Sequence, residues 1–295
     1  MKGHKYPFDR SNLEYGESVQ YIPPFENFSA KGNKSNCPLL TDDFKILVHS
    51  KQPVFSFPLM PATYIPFYIK TAVGRAGAVY PLSSSTRGKD VSVNGNPPAR
   101  GVYVGYTRGP DGVRGTATKF YGRSNSYIQF PNRGRLDTRL SITLLAWINH
   151  QGRAGPIFNY MPNGWGVHFW MVSPRTLFAR FTRRRGRRFT RAVSSRTVRY
   201  RKWEYVGATY DYRSGIARLF VRNKFVASRR IGRIRLATNY PVRMGARIGD
   251  GRYFRGSISC MQVYKKALTA GQIIARRTRC FKRGNAHSMP TIITG

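Results

Sequence analysis

The stretch Arg252-Tyr-Phe-Arg-Gly-Ser-Ile-Ser-Cys-Met-Gln-Val-Tyr-Lys-Lys-Ala-Leu-Thr-Ala-Gly-Gln-Ile-Ile-Ala-Arg-Arg-Thr-Arg-Cys280 reads as an extended segment, a tight corner and one short helix. Ile258, Cys260, Gln262 and Tyr264 alternate with Ser259, Met261 and Val263, a period of two that predicts a strand. Thr269 and Gln272 stand at capping-box spacing: the Thr269 hydroxyl can accept the Gln272 backbone N–H while the Gln272 side chain reaches back. Leu268 before the cap and Ile273 at the fourth helical position are placed to form a hydrophobic staple. Cys260 on the strand and Cys280 at the helix end can close a loop of about 20 residues, a constraint of about 3 kcal/mol on the chain-entropy estimate. A strand clipped to a terminal helix is a closing device, so the domain is expected to be complete by Cys280.

Working outward, the chain has 295 residues, of which 41% are hydrophobic and 14% aromatic, enough to fill a core. Against 51 Lys and Arg stand only 12 Asp and Glu, a net charge of +39. Such a charge repels itself in the folded state and attracts any polyanion through a long-range field. Charge alone does not choose among nucleic acid, acidic polysaccharide, acidic protein and anionic membrane. The third cysteine, Cys37, lies in a polar, irregular region and reads as an intermolecular bridge or a free thiol. Asn27-Phe-Ser29 and Asn33-Lys-Ser35 are glycosylation sequons, usable if the chain is secreted. The amino terminus, Met-Lys-Gly-His-Lys-Tyr-Pro, lacks the apolar core of a signal peptide. The longest apolar run, Pro53 to Ile69, carries four prolines, so no membrane-spanning helix is expected.

The composition divides the chain into an irregular extension over 1–76, a patterned domain over 77–281 and a tail over 282–295. Half of the acids, Asp9, Glu14, Glu17, Glu26, Asp42 and Asp43, lie in the extension, which leaves the domain more basic than the average. From Ala78 on, short extended runs follow one another: 78–82, 117–122, 126–130, 141–148, 155–160, 164–171, 176–181, 189–193 and 203–210. Residues 217–221 and 225–228 flank Asn223-Lys224 as a two-residue hairpin, since Asn tolerates the positive φ such turns need. A dozen short strands with almost no helical periodicity predict an all-β antiparallel sandwich; the crossover helices of a β/α fold are missing. The run from Leu140 to Ile148 is apolar on both faces, which implies stacked sheets with further cover.

The order Ser126-Tyr-Ile-Gln-Phe, Leu140-Ser-Ile-Thr-Leu-Leu-Ala-Trp-Ile, Trp203-Glu-Tyr-Val-Gly-Ala-Thr-Tyr-Asp, Ala217-Arg-Leu-Phe-Val and Phe254-Arg-Gly-Ser-Ile-Ser-Cys-Met-Gln-Val-Tyr-Lys-Lys-Ala-Leu-Thr resembles the laminin-G-like branch of the concanavalin A-like lectin/glucanase superfamily. The closing Phe-x-Gly-x-Ile and Val-Tyr-x-x-Ala-Leu-Thr phrases are its most specific part. The resemblance implies a jelly roll with a short C-terminal helix. It is also similar to domains of secreted invertebrate matrix and cell-surface proteins, some in calcified matrices such as shell. It therefore implies a secreted, noncatalytic, lectin-like extracellular matrix protein with no cofactor. The departures bear on the site. From Gly112 to Cys280 the only carboxylates are Asp137, Glu204, Asp211 and Asp250, few for a calcium ion that takes about six to eight oxygens. No Glu-x-Asp-x-x-Glu cluster is present to supply the paired carboxylates, about 5–9 Å apart, of a glycosidase. No metal site and no catalytic residue is expected. His168 reads as a packed strand histidine, and Tyr160, Trp165 and Trp170 as core aromatics rather than sugar-stacking platforms.

Residues 175–255 hold 24 Lys and Arg against three acids. The densest part bridges two predicted strands, so Arg183, Arg184, Arg185, Arg187 and Arg188 are expected together at a hairpin tip, flanked by Arg180, Arg191, Arg199, Arg201 and Lys202. Arg218 and Arg222 fall on an outer face by alternation. The planar guanidinium pairs bidentately with sulfate, carboxylate and phosphate. Two partners fit: an acidic polysaccharide or acidic matrix protein outside the cell, or, as the second choice, nucleic acid inside it. The closing stretch repeats the theme, with Arg252, Arg255, Lys265, Lys266, Arg276, Arg277 and Arg279 decorating an ordinary closing device.

Overall fold

The computed structural model describes residues 76–152, 154–185 and 189–281. The sequons at Asn27 and Asn33, Cys37, Arg187, Arg188, the Pro-rich run and the C-terminal tail lie outside them. Strands are numbered in chain order. One sheet runs β13 (Lys224–Arg230), β12 (Ile216–Val221), β11 (Trp203–Asp211), β6 (Ile142–His150), β15 (Arg255–Tyr264), β4 (Ala117–Tyr121) and β3 (Val104–Thr107), with β1 (Ala76–Tyr80) also paired to β15. The other runs β10 (Val193–Ser195), β9 (Thr176–Arg180), β8 (His168–Ser173), β7 (Gly155–Tyr160), β14 (Val242–Met244), β5 (Tyr127–Phe130) and β2 (Arg100–Val102). Pairing is antiparallel throughout the described strands. This is the all-β antiparallel sandwich that the patterning predicts, and the jelly roll that the resemblance implies.

β6 shows how one strand is apolar on both faces. Ile142, Leu144, Ala146 and Ile148 join the core between the sheets, with Phe158, Phe169 and Val242 from the other side. Leu145 and Trp147 instead join a second apolar cluster with Tyr205, Phe220, Tyr264, Leu268 and Ile273. That second cluster is roofed by α1 (Ala270–Ile274) and the segment after it, the further cover that the run from Leu140 to Ile148 requires.

The roof is fixed as its residues dictate. Thr269 and Gln272 form the reciprocal capping box, and Leu268 and Ile273 are both buried in the outer cluster. The Trp147 indole N–H donates to the Arg277 carbonyl at 2.9 Å, and the Gln262 amide donates to the Arg276 carbonyl at 3.1 Å. A disulfide joins Cys260 to Cys280 across a Cα separation of 5.6 Å.

β15 itself departs from uninterrupted alternation. Its register against β6 slips between Ser259 and Gln262, and Cys260 takes a positive φ of 54°. This bulge turns the face. Ile258, Met261 and Val263 point into the inter-sheet core, while Cys260 and Tyr264 point outward under the helix. The glycine of the Phe-x-Gly-x-Ile phrase has its own reason. Gly256 has φ of 138°, and a Cβ there would lie 2.1 Å from the Asn149 carbonyl oxygen.

Other boundaries differ for local reasons. The hairpin between β12 and β13 turns on Arg222-Asn223, both at positive φ (51° and 66°), one residue earlier than expected. β4 and β5 follow one another across a turn, which carries the chain from one sheet to the other. Residues 189–192 are irregular, and β10 begins only at Val193. β8 starts at His168, because Asn163 to Val167 fold as a turn. β2, β3 and β14 are three- or four-residue strands without a readable apolar period.

Candidate anion-binding surface

Acidic side chains come first, because they determine which arginines are free. The described residues contain six carboxylates, and each has an internal job. Asp90 accepts the backbone N–H groups of Val79, Ser92 and Asn96, the Ser92 hydroxyl and the Asn96 amide. Burial alone would raise its pKa, but these hydrogen bonds outweigh it and hold the carboxyl below its usual range. Asp111 accepts the Thr116 hydroxyl at 2.6 Å. Asp211 accepts the Ser214 hydroxyl at 2.7 Å and pins the turn after β11. Asp250 takes both Nε and Nη2 of Arg252, at 2.8 and 2.7 Å. Glu204, fully buried at the start of β11, takes Arg199 Nε at 2.5 Å and Arg222 Nη1 at 3.0 Å. Asp137 accepts from the Arg184 guanidinium and from the Thr238 hydroxyl.

Arginines from three segments converge where the connection after β9 meets the segments after β13 and before β6. Arg183 forms an isolated β-bridge with Leu236. The Arg184 N–H donates to the Arg235 carbonyl at 2.7 Å, and the Leu236 N–H donates to the Arg139 carbonyl at 2.7 Å. Burial of Ile234 and Leu236 leaves Arg233 and Arg235 exposed by alternation. The result is a cavity of about 280 Å³ lined by Arg139, Arg183, Arg184, Arg185, Arg233, Ile234 and Arg235. Among the described residues only Arg184 of these has a carboxylate partner.

The arginines named from the sequence do not form one cluster. β9 and β10 pair as expected, but Arg184 turns inward to Asp137 instead of standing at the tip. Arg183 and Arg185 are exposed beside it, and Arg191 is exposed farther along the connection. Arg180 lies along the outer face of the second sheet, its guanidinium 5.3 Å from the Phe178 ring and 5.5 Å from the Phe189 ring. Arg199, Arg201 and Lys202 lie beyond the other end of β10; Arg199 is committed to Glu204, and Arg201 stacks 5.2 Å over Tyr200. Arg222 reaches Glu204 and also donates to the Thr197 carbonyl, so it belongs to the frame. Arg139, Arg233 and Arg235 are the members that sequence reasoning missed. Arg233-Ile-Arg235-Leu was the available signal, an alternation of charge and apolar residue.

On the outer face of the second sheet, Trp165, His168, Trp170 and Phe178 form a contiguous aromatic group. Tyr160 belongs to the core between the sheets, and Trp170 is buried but within this outer group; Trp165, expected as a core aromatic, instead sits part-exposed before β8, its ring covered by the Arg247 guanidinium at 3.9 Å. The His168 Nδ1–H donates to the Gly166 carbonyl at 2.8 Å. Burial, reinforced by Arg180, Arg252 and Arg247, lowers its pKa to about 4 despite that hydrogen bond.

A family model described as Laminin_G_3, of the concanavalin A-like lectin/glucanases superfamily, matches residues 122–274, just over half of the chain. The chain belongs to this family. The fold is shared, at low identity, with solved binding domains. The binding domain of Paraclostridial Mosquitocidal Protein 1 superposes with a TM-score of 0.54 at 14% identity, over 68% of this chain and 51% of that one. The botulinum neurotoxin serotype G binding domain gives 0.56 at 13%, over 68% and 50%. The serotype C1 binding domain gives 0.55 at 13%, over 70% and 52%. The chain thus spans about half the length of these structures, and the likeness concerns the fold. No curated protein matches the Laminin_G_3 chain. Its fold is of a type used for carbohydrate or protein binding, and no described helix is long and apolar enough to cross a membrane.

Proposed function

We propose that this laminin G-like module, running from about residue 77 to 281, is a noncatalytic, secreted matrix protein that holds acidic glycans, sulfated or carboxylated, or acidic matrix proteins. The observation that carries the reading is the fate of the acids. All six carboxylates of the described region are bound up in turns and ion pairs, so, Arg184 apart, the arginines around the connection after β9 are left without counter-charges among the described residues. A surface in that state is completed by an external anion, and guanidinium forks match oxyanions bidentately. The Cys260–Cys280 disulfide and the laminin G-like family support an oxidising, extracellular setting.

Retention on immobilised heparin tests the reading. Retention is expected to fall steeply with salt, and the variant Arg183→Ser/Arg185→Ser/Arg187→Ser/Arg188→Ser is expected to elute at clearly lower salt. Arg184 is left in place because it holds Asp137. Unchanged retention of the variant removes the assignment of this surface. A preference for DNA or RNA over sulfated glycans on a binding array at about 0.15 M salt would replace the partner with nucleic acid.

A further inference from the structure

The surface just described contains a concave site with its own shape, and its shape selects among anions. We propose that the cavity lined by Arg139, Arg183, Arg184, Arg185, Arg233 and Arg235 receives one compact tetrahedral oxyanion, a sulfate or phosphate ester carried on a sugar, and discriminates against carboxylates. This rests on the reading of the module as a binder of acidic glycans and assigns the group that the cavity reads.

Its size sets the scale of the ligand. At about 280 Å³ it lies just under the range of roughly 300–1,000 Å³ typical of small-molecule pockets. It therefore takes one charged group with at most its own sugar ring, while the rest of a polymer lies outside. The direction of approach sets the chemistry. The guanidiniums come from three separate segments, before β6, after β9 and after β13. A carboxylate is planar, and a single bidentate fork meets both its oxygens. A sulfate or phosphate ester presents three terminal oxygens in three directions and can use forks from several segments at once.

The frame is already built. The Arg183–Leu236 bridge and the backbone hydrogen bonds Arg184 N–H to Arg235 O and Leu236 N–H to Arg139 O tie the three segments together. Arg184 is further oriented by Asp137 and by donating its Nε–H to the Leu236 carbonyl at 3.2 Å. Among the described residues Asp137 is the one carboxylate paired with a cavity arginine, against six guanidiniums. Mutual repulsion among these guanidiniums is relieved when an anion enters.

Calorimetric titration of the full chain at about 0.15 M salt with N-acetylglucosamine 6-sulfate, glucose 6-phosphate and glucuronic acid tests the proposal. At least one ester should saturate a single site at least about tenfold more tightly than the uronic acid, the worth of one extra charged hydrogen bond. Arg235→Ser and Arg139→Asn, the latter chosen because Asn tolerates the positive φ of 52°, should each lose about tenfold for the ester. Arg114→Ser, an exposed charge elsewhere on the surface, should lose nothing, and thermal melts confirm that all three are folded. Sulfate preferred over phosphate points to sulfated glycans, and the reverse to phosphorylated sugars; both support the cavity. Uronic acid bound as tightly as the esters, or ester affinity equal in all three variants, overturns it. Heparin retention without ester binding removes the cavity alone, whereas ester binding without heparin retention removes the polymer-binding reading and keeps the cavity.

Discussion

His168 is buried on β8 beneath Trp165 and beside Phe178, with Arg180, Arg247 and Arg252 as its charged neighbours. Its folded pKa of about 4 lies below the unfolded value near 6.5. Between these values the unfolded chain takes up a proton that the folded chain refuses. Stability is therefore undiminished above about pH 6.5 and falls by roughly 3 kcal/mol as pH drops to about 4. Thermal melting at pH 7 and pH 4.5 should show that fall, and His168→Phe should flatten it. At this scale the sequence was partly legible. The basic density of 183–185 pointed to half of the cavity lining, but Arg139, Arg233 and Arg235 stand some 50 residues away on either side and arrive only through tertiary pairing. Arg199 looked like a free charge, yet the lone Glu204 in an apolar strand needs a cation wherever one can reach it.

Gly256 shows what an element asks of one position. A methyl group there would meet the Asn149 carbonyl oxygen at 2.1 Å, and the φ of 138° is strained for any L side chain. Gly256→Ala is expected to cost about 3 kcal/mol or more, since clash and backbone strain add, and the urea midpoint measures it. Long strands such as β6, β11 and β12 were readable because runs of six to nine mostly buried residues, β-branched and aromatic, leave a strong signal whether one face or both are covered. The short strands β2, β3 and β14 were not, since three or four residues held by neighbouring backbone leave no pattern to count. The bulge at Cys260 escaped for a different reason. It is a register slip imposed by two clusters on opposite faces, and the run of apolar and small residues from Ile258 to Met261 fits either phase.

The molecule as a whole carries a net charge of +39, which strains the compact state by self-repulsion. A sulfated polysaccharide that binds only the folded chain should raise stability by about 2.7 kcal/mol at a concentration of 100 Kd. The corresponding rise in Tm should shrink as sodium chloride is added, and scanning calorimetry with and without heparin reads both effects. The two-sheet architecture was legible from patterning, while the separation of the basic residues into distinct patches depends on where strands end and on which arginines serve internal acids. One further consequence concerns synthesis. β15 is central to its sheet: β6 lies along one edge, and β4 and β1 share the other, with Ala76 opposite Tyr264. Its residues leave the ribosome after those of every other described strand. At about 5–20 residues per second, the nascent chain waits on the order of 10–40 s between emergence of β1 and of its partner. From its own emergence until β15 arrives, each of β1, β4 and β6 keeps one strand edge unpaired, so a chain stopped short of Arg255 is expected to aggregate, and comparing the solubility of that fragment with the full chain measures it.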